Sequence, residues 1–189
     1  LPKWYNDAKL GVLVLWGIYS IPAFAPTGKT SNALISEEGW RQYFIKTPYA
    51  EWYANSIKIP NSPAARYHKE KYGTSFAYED FTPQFKRYIK SWDPVKWADF
   101  FNNIGAKYVT YCAKFHDGFL MWPSKYKCPV QNNWYSERNT VKELADALRS
   151  KGLKMGIYYS GVLDWAFTKD PITDLVDLIT SGPNTTEYG

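Results

Sequence analysis

Two short stretches of the sequence combine side chains that could bind or react with a ligand. Glu51-Trp52 places a carboxylate beside an indole, which suits hydrogen bonding to hydroxyl groups and stacking on a ring face. His116 follows a strand-like run, where a histidine can hydrogen-bond a ligand hydroxyl or change protonation near neutral pH. A structural role is open for each: Glu51 as the acid of a first helical turn with Trp52 in the core, and His116 as a packing residue.

Three carboxylates are available for acid–base or nucleophilic chemistry, namely Glu51, Asp117 and Asp164. Hydrolysis of a glycosidic bond uses two carboxyl groups, about 5 Å apart for retention of configuration and farther apart for inversion. The spacing along the chain does not pair any two of the three. Asp117-Gly118 also fits a turn, and Asp164 also fits a helix cap.

The remaining titratable and aromatic candidates carry less information. Tyr158 and Tyr159 alternate between the faces of a predicted strand, so only one of them can meet a ligand. His68 lies among Lys and Glu residues, which predicts a solvated surface position. Cys112 and Cys128 show neither a disulfide framework nor metal-ligand spacing. We therefore predict no metal site and no cofactor.

A repeated helix–glycine–strand pattern organises the second half of the sequence. Asp93, followed by proline, predicts a helix start, and Gly105 and Gly152 predict two helix ends. The two units lie 47 residues apart (152 minus 105), a weak internal repeat of the β/α kind. Thr140 and Glu143 predict a capping box. The predicted strands are Lys9 to Trp16, Ala106 to Ala113 and Leu153 to Tyr159. Each predicted helix has an apolar stripe. The stripe of the first helix is Trp97, Phe100, Phe101 and Ile104, and that of the second is Val141, Leu144, Ala145 and Leu148.

These elements favour an α/β fold, specifically a (β/α)8-like barrel of the TIM type. The strand from Lys9 to Trp16 is almost continuously apolar, as in a parallel sheet covered on both faces. The candidate polar residues follow predicted strands, and the carboxyl ends of barrel strands converge on one face. No glycine-rich phosphate-binding motif follows a strand. Since closure takes eight strands, the three predicted strands account for only part of such a barrel.

The composition argues against several classes of protein. Hydrophobic residues make up 45% and aromatic residues 19% of the chain, enough for a core and more rings than packing usually needs. The net charge of +5 comes from scattered Lys and Arg, so no nucleic-acid partner is predicted. No apolar run reaches about 18 residues, so no membrane span is predicted. The sequence leaves homo-oligomerisation and localisation open.

Eight short stretches carry a resemblance to a known family. They are residues 4–11 (WYNDAKLG), 16–24 (WGIYSIPAF), 51–53 (EWY), 67–68 (YH), 78–81 (YEDF), 105–109 (GAKYV), 116–119 (HDGF) and 158–161 (YYSG). In order and spacing they resemble the α-L-fucosidases of glycoside hydrolase family 29. Each stretch is weak alone, but the set is specific and covers nearly the whole chain.

The resemblance implies a retaining exo-hydrolase that removes terminal α-L-fucose from glycans or glycoconjugates through a covalent glycosyl-enzyme intermediate. Glu51 is the residue of this chain to which it assigns a catalytic role. Residues 1–189 are implied to be the N-terminal portion of one catalytic barrel domain, with the remainder outside the chain. The Asp nucleophile is implied on the strand after the last one here, beyond Gly189, and the acid/base further on. The implied partners are a fucosylated glycan or fucoside and the C-terminal remainder of the barrel. The implied fucose pocket consists of Trp16, Glu51, Trp52, His116 and Tyr159.

Two departures from the family's motifs change the implied substrate-binding pocket. Leu15 occupies the His position of a His-Trp-Gly motif, and Phe115 occupies the first His position of a His-His-Asp-Gly-Phe motif. Each replaces a hydrogen-bond donor to the sugar with an apolar group, and one such loss costs about 1–3 kcal/mol when a buried partner is left unpaired. Asn139 also stands where an Asp is usual.

Three hypotheses follow. The first is a working fucosidase whose other barrel strands lie outside this chain. The second is a pseudo-enzyme that keeps Glu51, Trp52 and His116 as a sugar-binding or interaction surface. Both require Trp16, Glu51, His116 and Tyr159 to gather around one cavity. The third is a stand-alone domain of another class, which is disfavoured because three strands leave open edges and an uncovered core.

Overall fold

The computed structural model describes residues 1–167 and 170–180, and the chain divides into two compact units. The first, called the sheet unit, comprises Leu1–Trp16, Lys86–Phe115 and Phe119–Tyr159. The second, called the helical unit, comprises Gly17–Phe85, His116–Gly118 and the described residues from position 160 onward. His116 therefore belongs to a different unit from the strand that precedes it.

The described residues form a parallel sheet, a series of α-helices and short 3-10 helices. The strands are β1 (Gly11–Val14), β2 (Tyr108–Lys114) and β3 (Lys154–Tyr159). The α-helices are α1 (Lys3–Ala8), α2 (Ser31–Glu38), α3 (Trp40–Ile45), α4 (Tyr53–Ser56), α5 (Pro63–Tyr72), α6 (Thr82–Ser91), α7 (Pro94–Asn103), α8 (Thr140–Ser150) and α9 (Leu175–Thr180). The 3-10 helices are η1 (Ile18–Ser20), η2 (Ala50–Trp52) and η3 (Tyr78–Phe81).

The strands β1, β2 and β3 form one parallel sheet in that order. Gly11 pairs with Tyr108 and Tyr108 with Lys154, so the three strands start level with one another. The register shifts between Cys112 and Lys114, where β2 has one extra residue opposite β3. The predicted α/β class and the three predicted strands are confirmed, although β1 is shorter and the other two strands start later than predicted.

The prediction that the first strand is covered on both faces is wrong. Leu13 on β1 is 56% exposed, whereas Val109 and Tyr111 on β2 are fully buried. In the sheet unit α8 packs against β2 and β3, and the Tyr111 hydroxyl lies 3.0 Å from Thr140 Oγ1 at the start of α8. No helix of the described residues covers Leu13 in the same way. Within the described residues, β1 is therefore less buried than its apolar sequence predicts.

Helix α7 begins and ends as predicted but buries a narrower face. The Asp93 carboxylate accepts hydrogen bonds from two backbone N–H groups of the first turn, and Gly105 follows the helix with a φ of 83°. Phe101 is buried, whereas Phe100 and Ile104 are 59% and 45% exposed, so the predicted stripe is wrong for those two. Adjacent residues point about 100° apart on a helix, so a packing face centred on Phe101 leaves Phe100 outside.

The predicted capping box at the start of α8 is wrong by one residue. Asn139 is the N-cap, and its Oδ1 accepts a hydrogen bond of 2.9 Å from a backbone N–H of the first turn. The Thr140 hydroxyl instead donates to the carbonyl oxygen of Met121 at 2.7 Å. The Glu143 carboxylate forms an ion pair with the Arg138 guanidinium. Both residues of the predicted box are thus bonded to other partners.

The predicted apolar stripe of α8 is confirmed. Leu144 and Leu148 are fully buried, Ala145 is buried and Val141 is half-buried. Gly152 follows the helix with a φ of 73°, a left-handed conformation that favours glycine. The buried side chains of α8 therefore form part of the core of the sheet unit, where the helix packs against β2 and β3.

The predicted surface position of His68 is wrong. In the helical unit His68 is 8% exposed, and the rings of Tyr72 and Phe81 lie 5.4 Å and 6.0 Å from its own. Its Nδ1 lies 2.9 Å from the Tyr53 hydroxyl oxygen and its Nε2 lies 2.7 Å from the carbonyl oxygen of Phe76. The charged residues next to it in sequence lie on the exposed side of α5. A helix places sequence neighbours on different sides, so they do not report the burial of His68.

Candidate active site

Three rings of the helical unit meet around His116. The ring centroids of Trp52 and His116 lie 5.6 Å apart, and those of Trp165 and His116 lie 5.2 Å apart. The two indoles lie 5.2 Å from each other. All three contacts are edge to face, a geometry that the charge distribution of aromatic rings favours. The structure therefore brings two predicted site residues, Trp52 and His116, into contact and adds a third ring.

Hydrogen bonds hold His116 through its ring and its backbone. The ring Nδ1 lies 2.7 Å from Ser160 Oγ, and the Ser160 hydroxyl donates to the carbonyl oxygen of Leu163 at 2.8 Å. The backbone N–H of Trp165 donates to the His116 carbonyl oxygen at 2.6 Å. Sequence reasoning did not connect Ser160 or Trp165 with His116. Ser160 directly follows the third strand and lies in the 158–161 stretch of the resemblance, whereas Trp165 lies six residues beyond the end of that strand.

Glu51 lies in the first turn of η2, one residue before the indole that contacts His116. Its side chain is half-buried, and so is Trp52, which also packs on Phe44 with 5.6 Å between ring centroids. The start of a short helix favours an acidic residue, so this position fits the structural interpretation of Glu51 as well as a ligand-binding one. A half-buried carboxylate beside a half-buried indole keeps both groups partly accessible.

The other two candidate carboxylates have structural contacts in the helical unit. Buried Asp117 accepts a hydrogen bond of 2.8 Å from the Tyr78 hydroxyl, and burial, followed by the charge of Asp117, raises the pKa of Tyr78 well above its usual value. Gly118 has a φ of 78°, and a Cβ there would lie 2.5 Å from an oxygen of Asp164. Asp164 also accepts a bond of 3.1 Å from the backbone N–H of Ala166. These contacts support the turn interpretation of Asp117. The helix-cap interpretation of Asp164 is wrong: its carboxylate bonds within a turn at residues 165–167, and the next helix of the described residues begins only at Leu175.

Trp16 and Tyr159 belong to the sheet unit. Trp16 packs against Trp92 and Trp97, with ring centroids 5.5 Å and 5.2 Å apart. Tyr159 is 56% exposed, and the Lys114 ammonium lies 5.3 Å from the centroid of its ring. A cation at this distance from a phenol ring is attracted by the electron-rich face. Trp16 thus has a packing role within its unit, whereas the ring of Tyr159 is accessible.

Leu15 and Phe115 directly follow β1 and β2 in the sheet unit. Leu15 is half-buried, and Phe115 is 7% exposed and stacks on Tyr158 with 5.8 Å between ring centroids. Tyr159, the next residue, lines a cleft beside α8 together with Val141. The two tyrosines therefore point to different faces, as strand alternation requires. Phe115 and Tyr158 form an apolar pair at the carboxyl end of the sheet.

The described residues also bear on metal ligation and membrane insertion. Within residues 1–167 and 170–180, no group of three or more His, Cys, Asp or Glu side chains is placed to hold a metal ion. Among the same described residues, no helix has the length and hydropathy to span a bilayer. Cys112, which is buried, and Cys128, which is half-buried, are not joined in a disulfide.

Comparisons with known proteins agree on one family. The family model described as alpha-L-fucosidase matches residues 1–178. Curated relatives include the alpha-L-fucosidase of Dictyostelium discoideum, 34% identical over 173 residues, and the tissue alpha-L-fucosidase of Bos taurus, 35% identical over 170 residues. Each match covers 87% of this chain but only 32% and 30% of the relative, so the chain spans about a third of their length.

Solved structures show the same relationship. The alpha-fucosidase of Thermotoga maritima in complex with fucose is 44% identical, with a TM-score of 0.83 and a match that covers 100% of this chain and 41% of that one. The same enzyme with a mechanism-based inhibitor gives 44% identity and a TM-score of 0.82 over 99% of this chain and 41% of that one. The predicted resemblance is confirmed: the chain belongs to the alpha-L-fucosidase family.

Proposed function

We propose that the protein containing this chain hydrolyses terminal α-L-fucose from glycans or glycoconjugates. The observation that carries the proposal is the contact of Trp52 and Trp165 with the ring of His116. Trp52 directly follows Glu51 in the chain. Trp52 and His116 stand in two of the motifs by which the chain resembles the family. The names of the relatives and the fucose bound in the Thermotoga maritima structure support fucose as the sugar.

The helical unit supplies chemistry that suits a sugar. The indole of Trp52 offers a face for the C–H groups of a pyranose ring, and the Glu51 carboxylate and the His116 ring offer hydrogen bonds to hydroxyl groups. We assign Glu51 the catalytic role in this chain on the basis of the family resemblance. The resemblance likewise gives Trp16 and Tyr159 a sugar-binding role, and their gathering around one cavity with Glu51 and His116 stays a prediction.

We further propose that the sheet is the first part of a (β/α)8-like barrel and that hydrolysis retains configuration through a covalent glycosyl-enzyme intermediate. Three parallel strands in chain order, with α8 between the last two, support the barrel. The nucleophile and the acid/base would then lie on elements outside this chain. In such a pocket Leu15 and Phe115 would offer apolar contacts in place of hydrogen bonds, at a cost of about 1–3 kcal/mol each if a sugar hydroxyl is left unpaired.

Hydrolysis of 4-nitrophenyl α-L-fucoside by the complete protein tests the proposal. We expect Trp52→Ala and His116→Gln each to lower kcat/KM at least about tenfold, because one lost contact with the substrate is worth about 1.4 kcal/mol or more. Tyr126→Ala is the control, since Tyr126 is 86% exposed, and it should leave kcat/KM unchanged. If configuration is retained, proton NMR will show the α anomer of fucose as the first product.

Each outcome bears on a different part of the proposal. No turnover above background by the wild-type protein contradicts hydrolysis. Saturable fucose binding without turnover would indicate a catalytically impaired sugar-binding protein, and a Leu15→His, Phe115→His double variant would then show whether the two apolar groups are the cause. A β anomer as first product would overturn only the retaining mechanism.

A further inference from the structure

Ser160 lies between the His116 ring and a backbone carbonyl oxygen. Ser160 Oγ lies 2.8 Å from the carbonyl oxygen of Leu163 and 2.7 Å from His116 Nδ1. A carbonyl oxygen only accepts hydrogen bonds, so the single hydroxyl hydrogen of Ser160 points to Leu163. The Ser160 oxygen therefore faces the ring as an acceptor. His116 Nδ1 has to be the donor, which requires a hydrogen on Nδ1.

The orientation of the His116 ring is fixed by its neighbours. Trp52 and Trp165 contact it edge to face with centroid distances of 5.6 Å and 5.2 Å. Rotation of the ring by half a turn would place a carbon where Nδ1 now lies and would break the bond to Ser160, which is 5% exposed. Losing a hydrogen bond at a buried hydroxyl is costly. Both the plane of the ring and the assignment of its two nitrogens are thus held by contacts within the helical unit.

His68 provides an internal contrast, because the same reasoning gives its ring the opposite tautomer, with the hydrogen on Nε2. Its Nε2 lies 2.7 Å from the carbonyl oxygen of Phe76, so Nε2 is the donor. Its Nδ1 then accepts from the Tyr53 hydroxyl at 2.9 Å. Burial raises the pKa of Tyr53, so the phenol keeps its hydrogen. The two histidines of the chain are therefore expected in different tautomers.

We propose that Ser160 is a positioning residue that holds His116 in its Nδ1–H tautomer and so makes Nε2 the ring's hydrogen-bond acceptor. A sugar hydroxyl that meets Nε2 of the neutral ring must then donate to it. The inference rests on the proposed function in one respect, namely that His116 meets the sugar. Its statement about the ring holds for the chain whether or not the protein hydrolyses a fucoside.

Nuclear magnetic resonance of the complete protein labelled with 15N-histidine tests the assignment directly. Two-bond 1H–15N correlations distinguish the tautomers, and we expect Nδ1–H for His116 and Nε2–H for His68 at about pH 8, where an ordinary imidazole is neutral. The spectrum of His116→Gln identifies the His116 signals. An Nε2–H pattern for His116, or a doubly protonated ring at that pH, overturns the proposal.

Variants of Ser160 test whether it is the cause. Ser160→Ala removes the acceptor, so we expect a mixed tautomer at His116 and a rise in KM of about tenfold, the effect of losing one well-placed hydrogen bond. Ser160→Thr retains the hydroxyl and should restore the wild-type pattern. The matched control is Ser136→Ala, because Ser136 is also buried and its hydroxyl also donates to a carbonyl oxygen, that of Arg138, at 2.7 Å.

The results separate this proposal from the proposed function. If Ser160→Ala leaves the His116 tautomer unchanged, or if Ser136→Ala alters it equally, Ser160 has no positioning role. If Ser160→Ala does not fold, the wild-type spectrum alone still supports or overturns the Nδ1–H assignment. The expected tautomers in a protein without fucosidase activity would contradict hydrolysis but support the role of Ser160.

Discussion

The buried carboxylate of Asp117 is bonded to the Tyr78 hydroxyl, whose oxygen lies 2.8 Å from Oδ2. Asp117 is 4% exposed and Tyr78 is 6% exposed, so water cannot readily replace the bond. Because burial and the charge of Asp117 raise the pKa of Tyr78 well above its usual value, the phenol remains a donor across the working pH range. A carboxylate next to His116 in sequence is thereby held in place by a residue 39 positions earlier.

Tyr78→Phe is expected to lower the free energy of unfolding by about 1.5–3 kcal/mol, the usual cost of losing a hydrogen bond to a buried charged group. The ring still fills its site, so the loss reports the hydroxyl. Urea unfolding followed by circular dichroism measures the change. Tyr88→Phe is the control, since Tyr88 is 53% exposed, and it should change stability by less than about 0.5 kcal/mol. Equal losses in the two variants would contradict the role of Tyr78.

The sequence predicts some residues of the candidate site but not the residues that hold them in place. Trp52 and His116 stand out because a tryptophan beside a carboxylate and a histidine after a strand are informative residue types. Ser160 does not stand out, since serine is common and its bond to His116 joins residues 44 positions apart. The ring of Trp165 meets that of Trp52 from 113 positions away (165 minus 52). Such contacts depend on how whole segments fold.

Local sequence signals predict where a helix begins and ends, but not which segments it packs against. Asp93 and Gly105 delimit α7 as predicted, because a cap and a left-handed glycine act within a few residues. Phe100 is exposed and His68 is buried because their surroundings come from other segments. Thr140 is not the cap of α8 because its hydroxyl bonds to a carbonyl oxygen 19 residues earlier. Sequence alone could not choose between Thr140 and the asparagine before it, since both are good capping residues.

Asn139 should be replaceable by aspartate but not by alanine. Its Oδ1 accepts from the backbone N–H of Lys142, and asparagine and aspartate are equally good caps, so Asn139→Asp should change the free energy of unfolding by only a few tenths of a kcal/mol. Asn139→Ala should lower it by about 1 kcal/mol. Urea unfolding of both variants decides. A loss for aspartate as large as that for alanine would show that the amide has a role besides capping α8.

The whole sheet exposes apolar side chains on its outer strands. In the part of the chain that the structure describes, β1 and β3 each pair only with β2, so each has an open edge. Leu13 is 56% exposed on β1 and Ile157 is 59% exposed on β3. Open strand edges and exposed apolar groups promote association with other chains. In the proposed barrel further strands would cover them.

The 189-residue chain by itself is therefore expected to self-associate as its concentration rises, and sedimentation velocity measures this. Ile157→Lys places a charge on the exposed outer strand, a device that natural edge strands use, and should raise the concentration needed for association at least about tenfold. Val95→Lys adds the same charge at a 52% exposed residue of α7 and should have little effect. An equal effect of the two variants would attribute the association to net charge. A chain that stays monomeric at all concentrations would show that the open strand edges do not promote association.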